Sequence, residues 1–393
     1  MLLTGIFPPI TTPFYPDGRI NLKKLEHNVD RYSRGPVSGM VVLGSTGETV
    51  MLNEEEQREL LRAAIAVAAP EKVMIAGCGQ ESVQETIRRC ELAAELGYDV
   101  ALVRTPHYYR AQMTPPVMLN YYRTVADRSP LPVLLYSFPQ CTGYDLPVEV
   151  IAELAGHANI IGTKESSGSL AKVERIVQCT RNVQREARVT HEFQPVTARM
   201  LKKASAAPSG ELVSAGSILP STPIAGAPGT PLTASSAQSA SKPSSSGATA
   251  SPVNQALPTA PAAPSSSAVE VVGPLRIRRK QVGFQTLVGS AHMLHSLLNV
   301  GAVGGILAFA DCAPTACYEI YAAFKDGDHK LAAEKQQRIE AACVRIASEM
   351  GIAAVKYACD LNGYYGGNPR LPLLPLTATQ RSEVEQLMGE IKS

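Results

Sequence analysis

Short runs of consecutive apolar residues recur along the chain: GMVVLGS, KVMIAGCG, DVALVRTP, PVLLYSFP, NIIGTKES, FQTLVGS and VGGILAFAD. Stretches that mix polar and apolar positions separate them. A strand with one wet face alternates in polarity, whereas a run that is apolar on successive residues suits a strand covered on both faces, as in a parallel sheet wrapped by helices. The intervening stretches are long enough for crossover helices. One opens at Asn53, with Glu56 three residues on as in a capping box, and sets Leu60, Leu61, Ala64 and Ile65 on one face. Another follows Lys164 and places Leu170, Val173, Ile176 and Val177 at helical spacing. With GIFPPITTPF at the front, the pattern predicts eight strands with helices between them. That is an α/β chain closed into a TIM (β/α)8 barrel, residues 1–185 forming its first part and 281–314 its last strands. Residues 315–393 predict helices appended to the barrel.

The rhythm stops between about Arg185 and Lys280, where the chain is built largely of Ala, Ser, Pro, Thr and Gly. So few large side chains cannot offset the entropy of ordering, and the composition predicts a disordered low-complexity insert over residues 186–280. Lying between the sixth helix and the seventh strand, it leaves from the N-terminal face of a barrel, opposite the loops that carry chemistry, at little cost in loop closure. The basic RIRRK at its exit, Arg276 to Lys280, reads as a solvated hinge, with a patch for an acidic partner as the alternative.

Composition narrows the function. The chain has 393 residues, 45% of them hydrophobic, and a formal net charge of +2, which gives no broad attraction for nucleic acid or an anionic membrane and favours a small-molecule partner. No apolar run approaches the roughly 18 residues of a membrane span, and the N-terminus lacks a basic leader, so an unexported protein is expected. The eight cysteines include no CxxC, and the nearest pair, Cys312 and Cys317, has no His cluster beside it. Idle thiols in a reduced cytoplasm, and no metal site, are the expectation.

Lys164 ends an apolar run and is followed at once by small polar residues. At the C-terminal end of a barrel strand its amine faces the catalytic mouth, where desolvation disfavours the ammonium form and leaves free base to attack a carbonyl. The alternative is a lysine that snorkels or pairs with a carboxylate such as Glu165. Other strand ends bring Tyr136, Ser45, Thr46 and Tyr108, a phenol and hydroxyls of the kind that carbon–carbon chemistry through an imine requires to move protons. In GSTGE, Gly44 and Gly47 permit a tight turn whose amides at Ser45 and Thr46 suit a carboxylate, the alternative being a turn capped by Ser45 and Glu48. The Gly301–Gly305 segment GAVGG precedes its strand, which argues against a nucleotide-phosphate loop.

Taken together and in order, GSTGE, TPHYY, YSFPQCTG and GTKESSG resemble the family of dihydrodipicolinate synthase and N-acetylneuraminate lyase, the pyruvate-dependent class I aldolases. The likeness covers nearly all the chain outside the insert. Within that family, YYR at Tyr108–Arg110, LLYS at Leu134–Ser137, GAVGG and GYYGG at Gly363–Gly367 resemble 4-hydroxy-2-oxoglutarate aldolase most. The resemblance implies that Lys164 forms a Schiff base with the keto carbon and that Tyr136 is the proton shuttle. Ser45 would link it to Tyr108, which would reach in from a neighbouring subunit. It also implies that Ser45, Thr46 and Gly47 hold the pyruvate carboxylate, that Gly289 and Ile306 line the pocket, and that the protein is a homotetramer, a dimer of dimers, needing no cofactor.

Two positions depart from the family. Synthases that condense pyruvate with aspartate semialdehyde carry an arginine directly before the Thr-Gly of the fifth-strand motif, where this chain has Cys141. A thiol cannot replace a guanidinium fork on a carboxylate. Ser45 stands where a threonine is usual and keeps the hydroxyl. The expected activity is therefore cleavage of 4-hydroxy-2-oxoglutarate to pyruvate and glyoxylate, with the lysine-pathway synthase as one alternative. A catalytically idle barrel that recruits a partner through its insert is another.

Overall fold

The computed structural model describes residues 1–206 and 269–391. Strands β1 (Gly5–Phe7), β2 (Gly39–Val42), β3 (Val73–Gly77), β4 (Val100–Arg104), β5 (Val133–Ser137) and β6 (Ile160–Glu165) come in sequence as expected. Two further parallel strands, separated from these by the insert and numbered below, complete a sheet of eight. Outside the barrel lie β7 (Arg185–Thr190), β8 (Glu270–Val272) and β9 (Leu275–Val282); β10 (Gln285–Val288) and β11 (Gly304–Ile306) are the two that return to it.

The spatial order is β1-β11-β10-β6-β5-β4-β3-β2, and every ladder is parallel. Backbone bonds from Ser38 N–H to Ile6 O and from Val41 N–H to Pro8 O, both 2.9 Å, join the two ends, so the barrel is closed. Alternation along each strand then sorts the core into two shells. Val100 and Leu102 of β4 face the barrel interior with Phe7, Val41, Ile75 and Ile306, while Ala101 and Val103 face the surrounding helices. The helix Glu54–Val67 starts at the expected capping box, Asn53 and Glu56 each accepting the other's backbone N–H at 2.9 Å. Its buried face is Gln57, Leu60, Leu61 and Ala64.

The ends of the stretch expected to be disordered are ordered. β7, β9 and β8 form an antiparallel sheet in that order, and a helix spans Ala198–Ala206. The composition of the insert's middle hid two alternating segments, REARVT and LRIRRKQV, which find each other across the chain and pair over six residues. Ala187 and Val189 pack on Leu2 ahead of β1, and Arg185 donates to Ala155 O and Ile160 O at the entry of β6. Arg199 reaches Ala68 O, next to the entry of β3, and lies 3.6 Å from Asp99 at the entry of β4. The described ends of this stretch thus pack against the N-terminal face of the barrel, and RIRRK is a strand instead of a hinge. Residues 207–268, where disorder was also expected, lie outside the described residues.

The helix Pro314–Lys325 packs beside β1 and completes the eighth unit, so the appended region begins at His329. It comprises His329–Ala342, a π-helical turn at Cys343–Glu349, Ile352–Leu361 and Ala378–Met388. Among the described residues no helix is long and apolar enough to cross a membrane.

Candidate active site

β5 and β6 are neighbours, and their register sets Tyr136 directly opposite Lys164. Because successive side chains on a strand point to opposite faces, Lys164 enters the barrel mouth while Glu165 turns outward. There Glu165 lies 2.7 Å from Lys172 Nζ and accepts the Ser167 N–H at 2.6 Å. Lys172 in turn pairs with Asp145 and donates to Ser137 Oγ. Pairing between Lys164 and Glu165, the alternative left open by the sequence, is excluded by this geometry.

Lys164 is 4% exposed, and its Nζ lies 4.2 Å from the centre of the Tyr136 ring. Burial pushes its pKa down to about 7, chiefly because an ammonium loses hydration there. Asp311 opposes that shift by its negative field, yet Asp311 is itself buried with both carboxylate oxygens lacking a partner among the described residues. Burial drives its carboxyl well above the usual range, which weakens that opposition, and desolvation is the larger influence on the lysine. The same burial raises the Tyr136 hydroxyl, which remains a neutral phenol. It shares a 3.4 Å hydrogen bond with Ser45 Oγ.

The cost of keeping Lys164 neutral gives a testable consequence. Between pH 7 and 10.5 the unfolded chain holds a proton that the native amine has released, so stability rises with pH across that window. Lys164→Met, of similar length and without the proton, is expected to stabilise the fold at pH 7 by roughly 2–5 kcal/mol, with the gain shrinking towards pH 10.5. Urea unfolding at the two pH values checks this.

The turn after β2 is closed by Gly47 N–H to Gly44 O at 3.0 Å and Glu48 N–H to Ser45 O at 3.1 Å. The amides of Ser45 and Thr46 donate to nothing among the described residues, and both residues border the same cavity as Lys164. Two adjacent unpaired N–H groups suit a carboxylate. Gly289 follows β10, and a side chain there would meet Ser166 Oγ at 2.0 Å, so the close approach requires glycine. Ile306 ends β11 on the cavity wall. The cavity measures about 450 Å3.

Tyr108 is the expected residue that does not join this group. It is 77% exposed, stacks edge-on against Tyr109 and donates its N–H to Glu81. Others had no signal in the sequence: Phe138 and Gln140 after β5, His292 after β10, and Cys343, Ala347 and Ser348 from the π-helical turn all line the cavity. Asp311 was equally silent, a lone acid in an apolar segment whose burial only the fold reveals.

The profile of the Dihydrodipicolinate synthetase family matches residues 2–185 and 270–391, the two parts that build the barrel and its appended helices. The chain belongs to the dihydrodipicolinate synthetase family. Among relatives, it is 41% identical over 177 residues to 4-hydroxy-tetrahydrodipicolinate synthase of Xanthomonas axonopodis pv. citri, covering 45% of this chain and 58% of the relative. The enzyme of that name from Methanothrix thermoacetophila is 37% identical over 179 residues, covering 46% and 59%. The matched stretch thus spans less than two thirds of these relatives. Among solved structures, a dihydrodipicolinate synthetase protein from Pseudomonas aeruginosa aligns over 100% of both chains with TM-score 0.70 at 20% identity. A family member from E. coli K12 in complex with pyruvate aligns over 100% and 99% with TM-score 0.69 at 22% identity. These structures establish the family's barrel as the fold of this chain.

Proposed function

We propose that the protein is a Schiff-base lyase that joins pyruvate to an aldehyde, or releases the two from a longer 2-oxo acid. The observation that carries this reading is the buried amine of Lys164, brought to a pKa of about 7 beside Tyr136 and next to the free amides of Ser45 and Thr46. The neutral amine attacks the pyruvate keto carbon and water leaves, giving an iminium. The methyl proton passes to Tyr136 as the phenol releases its own to Ser45, giving the enamine, which adds to the aldehyde carbon while the same relay runs back and Tyr136 hands a proton to the aldehyde oxygen. Water then hydrolyses the new iminium and restores the amine. Cleavage is the same path in reverse, with Tyr136 taking the hydroxyl proton as it passes its own to Ser45. The iminium serves as the electron sink. Ser45, Thr46 and Gly47 would hold the pyruvate carboxylate, with Gly289 and Ile306 behind it. Tyr108, exposed in this chain, would reach the site of a neighbouring subunit in a tetramer. Eight unpaired thiols favour a reduced cytoplasm.

The names of the relatives favour aspartate semialdehyde as the aldehyde, as in 4-hydroxy-tetrahydrodipicolinate synthase. They weigh against the 4-hydroxy-2-oxoglutarate aldolase to which the motifs pointed. One observation favours that second reading. Cys141 occupies the position of the synthases' arginine, on the short helix Pro139–Thr142, and Lys164 and His292 are the only basic residues lining the cavity among the described residues. Turnover of pyruvate with aspartate semialdehyde, measured beside cleavage of 4-hydroxy-2-oxoglutarate, separates the two. Cys141→Arg is expected to raise kcat/KM for the semialdehyde by about tenfold, the worth of a charge-assisted hydrogen bond. Loss of activity on both substrates would count against a carboxylate-binding role for this position.

A further inference from the structure

Lys164 has a buried counterpart that the proposed chemistry does not use. Lys356, on the helix Ile352–Leu361, is fully enclosed. Its Nζ donates to Glu48 Oε1 at 2.7 Å and to Thr12 O at 2.8 Å, and lies 4.5 Å from the centre of the Phe14 ring. The second Glu48 oxygen accepts the Arg370 N–H at 2.8 Å. The Arg370 guanidinium also rests on Phe14 and is held by Glu56 and Gly18 O. Thr12 closes the circuit, because its Oγ1 donates to Gly47 O at 2.6 Å.

The network ends on the turn with the free amides. Glu48 is the last residue of that turn and has φ +56°, while Leu43 at its start has φ +61°. Residues with side chains avoid this left-handed region and remain in it only when their surroundings over-determine the backbone. For Glu48 those surroundings are Lys356, Arg370 and, through Gly47, Thr12, and each belongs to a segment outside the turn. Ser45 and Thr46 lie between the two strained residues, so whatever fixes Glu48 fixes the direction of their amides.

Resting on the Schiff-base reading, we infer that Lys356 is a positioning residue: through Glu48 and Thr12 it holds the Ser45 and Thr46 amides in the shape that receives the substrate carboxylate. The appended helices then belong to the site twice, once as cavity wall and once as the anchor of its anion-binding turn. Charge logic separates this role from plain stability. Removing one member of a buried ion pair leaves the other uncompensated and is strongly destabilising, whereas removing both relieves that cost. The double substitution still leaves the turn without its anchor.

The test uses the full chain as wild type, Lys356→Met, the double variant Glu48→Gln/Lys356→Met, and Thr12→Val, which keeps both charges. Pyruvate is titrated against borohydride trapping on Lys164, with thermal melting in parallel. Lys356→Met should melt lower and the double variant should recover most of that loss. Both should need about tenfold more pyruvate for half-maximal labelling, the worth of one hydrogen bond to a charged group. Labelling at saturating pyruvate should stay within about threefold of wild type, since ground-state binding and not the reacting amine is altered. Thr12→Val should shift the pyruvate midpoint in the same direction by about threefold. A folded double variant that labels at wild-type pyruvate concentrations overturns the inference. If that variant does not fold, an unshifted Thr12→Val overturns it instead. An unlabelled wild type is a separate failure, because it removes the Schiff base on which the inference rests.

Discussion

Lys164→Met is expected to lower turnover by at least about 10^3-fold, because it removes the proposed nucleophile and with it the covalent path. Failed folding does not explain such a loss if the same variant is the more stable protein, as the burial of the amine implies. The residue's ionisation supplies a second signature in the intact protein. With the pKa pushed down to about 7, the amine is free base above that pH and ammonium below it. The pH profile of kcat/KM should therefore fall on its acid side around pH 7, about tenfold per unit below it. An unburied lysine would place that limb near 10.5. Enzyme kinetics across pH 5.5–9 with a pyruvate-linked assay read both effects.

Tyr136→Phe should be the next most damaging change, costing about 10^2- to 10^4-fold in kcat, the usual range for a positioned proton-transfer group. The ring that lies against Lys164 Nζ is retained, so the amine keeps its neighbour and its burial. Only the hydroxyl bonded to Ser45 is lost. Imine formation with pyruvate should then survive better than carbon–carbon bond making or breaking. Comparing borohydride labelling with steady-state turnover distinguishes the two steps. Equal losses in both would mean that the phenol acts on Schiff-base formation itself.

Much of the fold was legible because parallel strands covered on both faces write continuous apolar runs, and all eight barrel strands fall on such runs. The capping box at Asn53 was equally local. The juxtaposition of Lys164 and Tyr136 was less so, since it depends on the register of β5 and β6, which no single segment records. Strands β7 and β9 escaped because each is short of apolar residues and their partners lie across a long, composition-biased insert. Glu48 shows the same limit in the site. Its neighbours permit a capping role, and only tertiary structure reveals Lys356, 308 positions away, as its counter-charge. Tyr108 marks the opposite case, where motif likeness names a residue that a single chain leaves in solvent.

The central claim is that one neutral, desolvated amine captures pyruvate. Borohydride added with pyruvate, followed by peptide mass mapping, tests it most directly. The account predicts a reduced pyruvate adduct on Lys164 alone, formed faster at pH 8 than at pH 6. An active protein that carries no adduct, or carries it on Lys356 or a surface lysine, would contradict it.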